Sequence, residues 1–255
     1  MTAPIALQLY TLRDQLAQDF EGTIRNVSDM GYIGVETANM FGESPASAAR
    51  LFRELGLTVC GAHSPLPLGE QKQEVIDTLA ALDCKRLIVA WQPPEKYKSL
   101  DGIKSICDTL NEGAAVARAH GLQLGYHNHW FEYELVENRI PVDIMLEHLD
   151  PDVFFEVDVY WVQTAGQDPS QVVSRLGARA PLLHIKDGPC QIDAPMTALG
   201  ECLLDIPGVV TAAAGSTEWL VVELDRCATD MMEAVQKSHK FMIRKALARG
   251  NNSSD

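Results

Sequence analysis

Eight short apolar runs alternate with amphipathic helical stretches from one end of the chain to the other. The runs fall near residues 5–9, 33–37, 58–63, 86–91, 122–128, 153–158, 182–186 and 219–224. They are rich in Val, Leu, Ile and Phe and bounded by Gly or Pro, which marks buried strands. Between them, Phe20, Ile24, Val27 and Met30 share a helical face that Gly31 closes. Ser44–Pro45 opens a helix that Gly56 ends, and a long one runs from about 101 to 119 before Gly121. Asp230 with Glu233 reads as a capping box for the last helix. Parallel strands need crossover connections, and eight consecutive βα units predict an α/β fold closed into a single (β/α)8 TIM barrel. At 255 residues the chain is near the usual size for one. An open doubly wound sheet is the alternative. It usually carries a glycine-rich phosphate loop after its first strand, where this chain has Tyr10–Thr–Leu–Arg13.

The expected organisation is one domain over residues 1–250 and a disordered polar tail over 251–255. Longer loops are expected after strands five, six and seven, on the catalytic face of a barrel. With 35 acidic and 21 basic residues the net charge is −14, which disfavours nucleic acid and anionic membrane as partners. Six scattered cysteines without a C-x-x-C pair, no basic leader and no apolar stretch near 18 residues predict a cytoplasmic protein with reduced thiols.

Four of the strands end on residues that bind metals: His127, Asp158, His184 and Glu223. A charge or imidazole at the end of a buried strand is costly unless it is paired or metal-bound. Two imidazoles and two carboxylates converging at the barrel mouth suit one divalent ion of the Mn, Zn, Co, Fe or Ni type. Such an ion could polarise a substrate carbonyl and hydroxyl and stabilise the enediolate formed when a base removes the adjacent proton. Glu223 is the candidate base. Glu36, His63, His127 and His129 are candidates to return the proton, and Lys186 to steady a developing oxyanion. Side chains alternate along a strand, so His129, Glu156 and Lys186 share faces with His127, Asp158 and His184. Glu156 reads equally as a structural ion-pair partner. Trp91, Trp130 and Trp161 follow strand ends and suit sugar stacking or rim packing, and Gln8 and Tyr10 the pocket floor. His120, His148 and His239 fall in helices and read as surface groups.

The chain resembles the xylose-isomerase-like TIM barrels of the sugar phosphate isomerase/epimerase group. The resemblance is carried by Gln8–Leu–Tyr–Thr–Leu–Arg13, Gly34–Val–Glu36, Tyr126–His–Asn–His129 with Phe131–Glu–Tyr133, and Glu156–Val–Asp–Val–Tyr–Trp161. Leu183–His–Ile–Lys–Asp187, Gly200–Glu201 with Asp205, and Val222–Glu–Leu–Asp–Arg226 complete it. The broader group includes ketose 3-epimerases, hydroxypyruvate isomerase, inosose dehydratase, 3-keto-glycoside lyases and endonuclease IV. The resemblance implies a divalent metal-dependent sugar isomerase or epimerase working through an enediolate, with the ion held by Glu, Asp, His and Glu. The last three map onto Asp158, His184 and Glu223, while the first maps onto His127, a departure. The epimerases use the first and last carboxylates as their two acid/base groups, so this departure also fits an inosose dehydratase-like or 3-keto-glycoside lyase. Glu132 is a candidate replacement for the missing carboxylate. Another departure is Gly200–Glu–Cys202, where many relatives have Gly–Glu–Gly.

The substrate-binding set expected on this reading is His63, His129, Glu156, Trp91, Trp161 and Arg226, with a small-molecule sugar as partner. A lack of Arg or Lys clusters favours an unphosphorylated one. Relatives are often dimers or tetramers, so a homo-oligomer is one expectation. The competing readings are a non-catalytic sugar-binding barrel and a DNA-repair nuclease. The second is disfavoured by the acidic balance and modest histidine supply.

Overall fold

The computed structural model describes residues 2–251. Eight parallel strands close into a barrel in sequence order. They are β1 Ile5–Gln8, β2 Gly34–Thr37, β3 Thr58–His63, β4 Arg86–Val89, β5 Gln123–His127, β6 Phe154–Asp158, β7 Leu182–Ile185 and β8 Trp219–Val222. The helices outside are α1 Arg13–Gln18, α2 Phe20–Asp29, α3 Pro45–Glu54, α4 Lys72–Ala81, α5 Leu100–Ala119, α6 Pro141–His148, α7 Val159–Thr164, α8 Pro169–Leu176, α9 Ile206–Ala212 and α10 Met231–Arg244. The expected strands and the expected closure are therefore present. Most strands leave the ladder a residue or more before the expected end, where the chain turns into the rim loops.

Inside, the barrel is layered. Its lower part is apolar, with Ala6, Cys60 and Val221 in one cluster and Ile88, Phe154 and Leu182 in another, both against Trp219. Glycine makes these plugs fit: a Cβ at Gly34 would collide with the Trp219 ring, and one at Gly125 with Phe154. Two residues further along, the inward face of five strands turns polar, through Gln8, Glu36, His127, Glu156 and His184, all buried. Register aligns this layer: Gln8 lies beside Glu36, His127 beside Glu156 and Asp158 beside His184.

Some local expectations are corrected. No long loop follows β6, because α7 starts at Val159 and Asp158 caps it, Oδ1 accepting from Trp161 N at 3.0 Å. The capping box of α10 is half formed: Asp230 accepts from Glu233 N at 2.8 Å, while the Glu233 carboxylate pairs with Lys237 at 2.9 Å. His239 is not a surface group. It is 4% exposed, packed on Tyr32 and close to Gly31. Gly31 has φ +100°, and any side chain there would strike His239 and the Asn251 carbonyl. Asn251 N donates to Gly31 O at 2.9 Å, so the expected tail begins as a tied segment, and its remainder, 252–255, lies outside the described residues. The loop after β7 is long, as expected. The buried carboxylate of Asp187 holds it, accepting backbone N–H groups from Gly188, Gly200, Cys202 and Leu204.

Candidate metal centre and active site

The polar side chains of the barrel interior form two tiers that share two histidines. At the mouth, donor atoms of His127, Asp158, His184 and Glu223 lie within 4.8 Å of one another. His184 Nδ1 is 2.7 Å from Glu223 Oε2, and His127 Nε2 is 3.9 Å from Asp158 Oδ2. Lys186, 1% exposed, places Nζ 2.8 Å from Asp158 Oδ2, 2.7 Å from Glu223 Oε2 and 2.7 Å from Asp225 Oδ2. One layer below, His63, His127 and His184 surround Glu36 and Glu156. Gln8 Nε2 donates to Glu36 Oε2 at 2.6 Å, and Gln8 Oε1 is fixed by Tyr10 N at 3.0 Å.

Burial and neighbours set the charges. Burial opposes charge on His63, but Glu36 and Glu156 outweigh it and raise its pKa to about 10. The same contest, won by Glu156, Glu223 and Glu36, raises His184 well above the usual imidazole range. Burial, reinforced by neighbouring histidines, drives His127 well below it, and burial beside Lys186 lowers His129 to about 3. Glu223 is held well below the usual carboxylate range: burial opposes this, but Lys186 and His184 prevail. Burial lifts Asp158 to about 6, with Lys186 pulling the other way. Lys186 itself stays charged, since Asp158, Asp225 and Glu223 overcome its burial.

The strand-end quartet fits a divalent transition ion by its chemistry: two imidazoles and two carboxylates at one mouth. Asp158 Oδ2 is buried, with the Lys186 ammonium 2.8 Å away as its close partner. Over the quartet opens a cavity of about 560 Å³, lined by His63, His127, His129, Trp91 and Glu223, with Tyr10, Asn39 and Asp225 completing its polar wall.

Of the residues expected from sequence, Glu36, His63, His127, His129, Glu156, Asp158, His184, Lys186 and Glu223 meet in the barrel interior. Glu36 lies in the lower tier under His184 and does not line the cavity. Glu156 faces three imidazoles and also lies below it. Trp91 stands on the rim, 52% exposed, with its ring edge-on to His129 at 4.9 Å. Trp161 is buried behind the site, against Trp130 and Tyr160, with Lys186 Nζ 5.5 Å from its ring. Arg226 points away to Asp193, at 3.7 Å, and does not line the cavity. Neither Trp161 nor Arg226, both expected to bind substrate, lines the cavity. Glu132 does not replace a mouth carboxylate. It is fully buried, accepting from Tyr126 OH at 2.6 Å and His129 N at 2.8 Å. Asp225 was missed, although its position two residues past Glu223 gives it the same parity.

The sequence profile described as Xylose isomerase-like TIM barrel matches residues 24–245. No curated protein matches the chain. Among solved structures, a sugar phosphate isomerase/epimerase from Parabacteroides distasonis ATCC 8503 superposes with a TM-score of 0.85 at 23% identity, covering 97% of this chain and 100% of its own. IOLI protein with a binding zinc atom gives 0.71 at 15% identity, over 96% of this chain and 97% of its own. L-ribulose 3-epimerase gives 0.71 at 16%, over 96% and 94%. At these identities the likeness concerns the fold. The profile match spans most of the chain, and the chain belongs to the xylose isomerase-like TIM barrels.

Proposed function

We propose that this barrel is a divalent metal-dependent enzyme that isomerises or epimerises a sugar or keto-sugar through an enediolate. The carrying observation is the convergence of His127, Asp158, His184 and Glu223 beneath a cavity of about 560 Å³. These four would hold the ion. When bound, it would supply Lewis acidity toward a carbonyl and an adjacent hydroxyl. Glu223 is held ionised and lines the cavity, with Oε2 engaged by His184 and Lys186, which suits it to act as base. Lys186, whose three N–H groups face Asp158, Glu223 and Asp225, would steady a developing oxyanion through its charge. Trp91 offers an exposed apolar face to a sugar ring beside the polar wall of Asn39 and His129.

A second reading, β-elimination, is favoured by the distribution of carboxylates. Glu223 and Asp225 are the acidic residues of the cavity lining, and both come from the end of one strand. The wall facing them carries His63, His127 and His129. One base with an imidazole to protonate the leaving group suits a dehydratase or lyase better than two matched carboxylates. The free cysteines support a cytoplasmic setting, and the acidic surface supports a neutral or cationic small partner over nucleic acid.

Dialysis against a strong chelator tests the reading. Turnover of keto-sugars should disappear and return with Mn²⁺, Zn²⁺ or Co²⁺. Undiminished turnover after exhaustive chelation would overturn it.

A further inference from the structure

The lower tier has a property that the mouth quartet does not explain. His63 Nε2 lies 2.7 Å from Glu156 Oε2 and 3.1 Å from Glu36 Oε2. His184 Nε2 lies 3.2 Å and 2.6 Å from the same two oxygens, and His127 Nδ1 lies 3.1 Å from Glu156 Oε2. These are five close N···O contacts made by three nitrogens, and each nitrogen carries one proton at most. Hydrogen bonding therefore cannot serve all five. The outer oxygens, Glu36 Oε1 and Glu156 Oε1, are buried without any partner. Gly61 leaves the space that Glu36 Oε1 fills, since a Cβ there would stand 2.7 Å from it.

The spacing is that of a coordination shell. Ligand atoms about 2.0–2.1 Å from a tetrahedral zinc stand roughly 3.3 Å from one another. Donors of His63, His127, Glu156 and His184 form a second set within 4.8 Å, which shares His127 and His184 with the strand-end quartet. We propose that this buried nest of His63, His127, His184 and Glu156, with Glu36 beside it, is a second binding position for a divalent transition ion of the zinc or cobalt type.

The two positions exclude each other. The nest uses His184 Nε2 and His127 Nδ1, whereas Nδ1 of His184 faces Glu223 and Nε2 of His127 faces Asp158. A neutral imidazole offers one lone pair to a metal. The chain therefore holds one ion at a time, and the nest accepts it without displacing Lys186 from Asp158 and Glu223. The proposal goes beyond the catalytic reading and does not require it.

The test uses Asp158→Asn in the full chain, where Glu223 and Asp225 still hold Lys186. Crystals soaked in Zn²⁺ are read by anomalous diffraction, and Co²⁺ binding is read by calorimetry and visible absorption. The proposal expects one ion on His63 Nε2 and Glu156 in this variant, with Co²⁺ still bound, because no nest ligand is lost. Adding His63→Ala should weaken binding by about 100-fold or more and remove the peak. Glu223→Gln gives the same readout from the other mouth carboxylate if Asp158→Asn folds poorly. Zn²⁺ seated on Asp158 and Glu223 in wild type, with none bound in either mouth variant, overturns the nest and leaves the catalytic reading intact. A loaded nest in a wild-type protein whose turnover ignores chelation keeps the nest and removes the catalytic reading.

Discussion

Lys186 and Asp158 form a buried ion pair at the mouth of the barrel, with Nζ 2.8 Å from Oδ2. Neither group touches bulk water. A buried charge left without its partner is far more costly than the pair was favourable. Lys186→Met removes the cation shared by Asp158, Glu223 and Asp225. It should lower stability by about 3–5 kcal/mol in urea titrations of the metal-free protein. Added Mn²⁺ should recover more stability in the variant than in wild type, since the freed carboxylates gain a cation. Equal metal responses would contradict the shared-site arrangement.

Asp187 accepts four backbone N–H groups along the loop after β7. Asn offers one acceptor oxygen, and its amide nitrogen faces N–H donors. Asp187→Asn should cost about 2–4 kcal/mol and speed hydrogen exchange across residues 188–204. Unchanged protection in that loop would show that other contacts fold it.

Burial raises the Glu132 carboxyl to about 8, against about 4.3 in the unfolded chain. The folded state therefore binds the proton more tightly. Its contribution to stability is complete below about pH 4 and is lost as pH rises toward 8. Glu132→Gln imitates the protonated acid. Between pH 5.5 and 8 the Tm of wild type should fall relative to that of the variant, and parallel Tm curves would reject the assignment.

Trp91 presents its ring to the cavity and is half exposed, so its removal leaves the core intact. Trp91→Ala should raise KM about tenfold, or about 1.4 kcal/mol of lost stacking, with Tm unchanged. Trp161→Ala should act the other way, lowering Tm with a smaller effect on KM, because that ring is packed between Trp130 and Tyr160. The two side chains look alike in sequence, each soon after a strand end, and burial alone separates them.

That pair shows where the sequence is legible and where it is not. Strand periodicity placed His127, Asp158, His184 and Glu223 on inward faces, because period-two alternation and the apolar plug residues agree in parity. Depth was not legible. Glu36 and Glu223 both fall near the end of an apolar run, yet Glu36 lies within β2, below the cavity under His184, while Glu223 follows β8 and lines the cavity. Loop side chains were the least legible. Parity with Glu223 is the one local signal that separates Asp225, turned toward Lys186, from Arg226, turned toward Asp193. For His239, spacing from Val235 and Met242 on α10 did carry the buried face.

In the proposed reaction Glu223 takes a proton from a substrate carbon beside an ion at the barrel mouth. This step is tested most directly by incubating metal-loaded protein with a keto-sugar in D₂O and following the C–H signal next to the carbonyl by NMR. Deuterium should enter in wild type, about 100-fold or more slowly in Glu223→Gln, and not after chelation until Mn²⁺ is restored. Incorporation at the wild-type rate in Glu223→Gln, or in chelated protein, would contradict it.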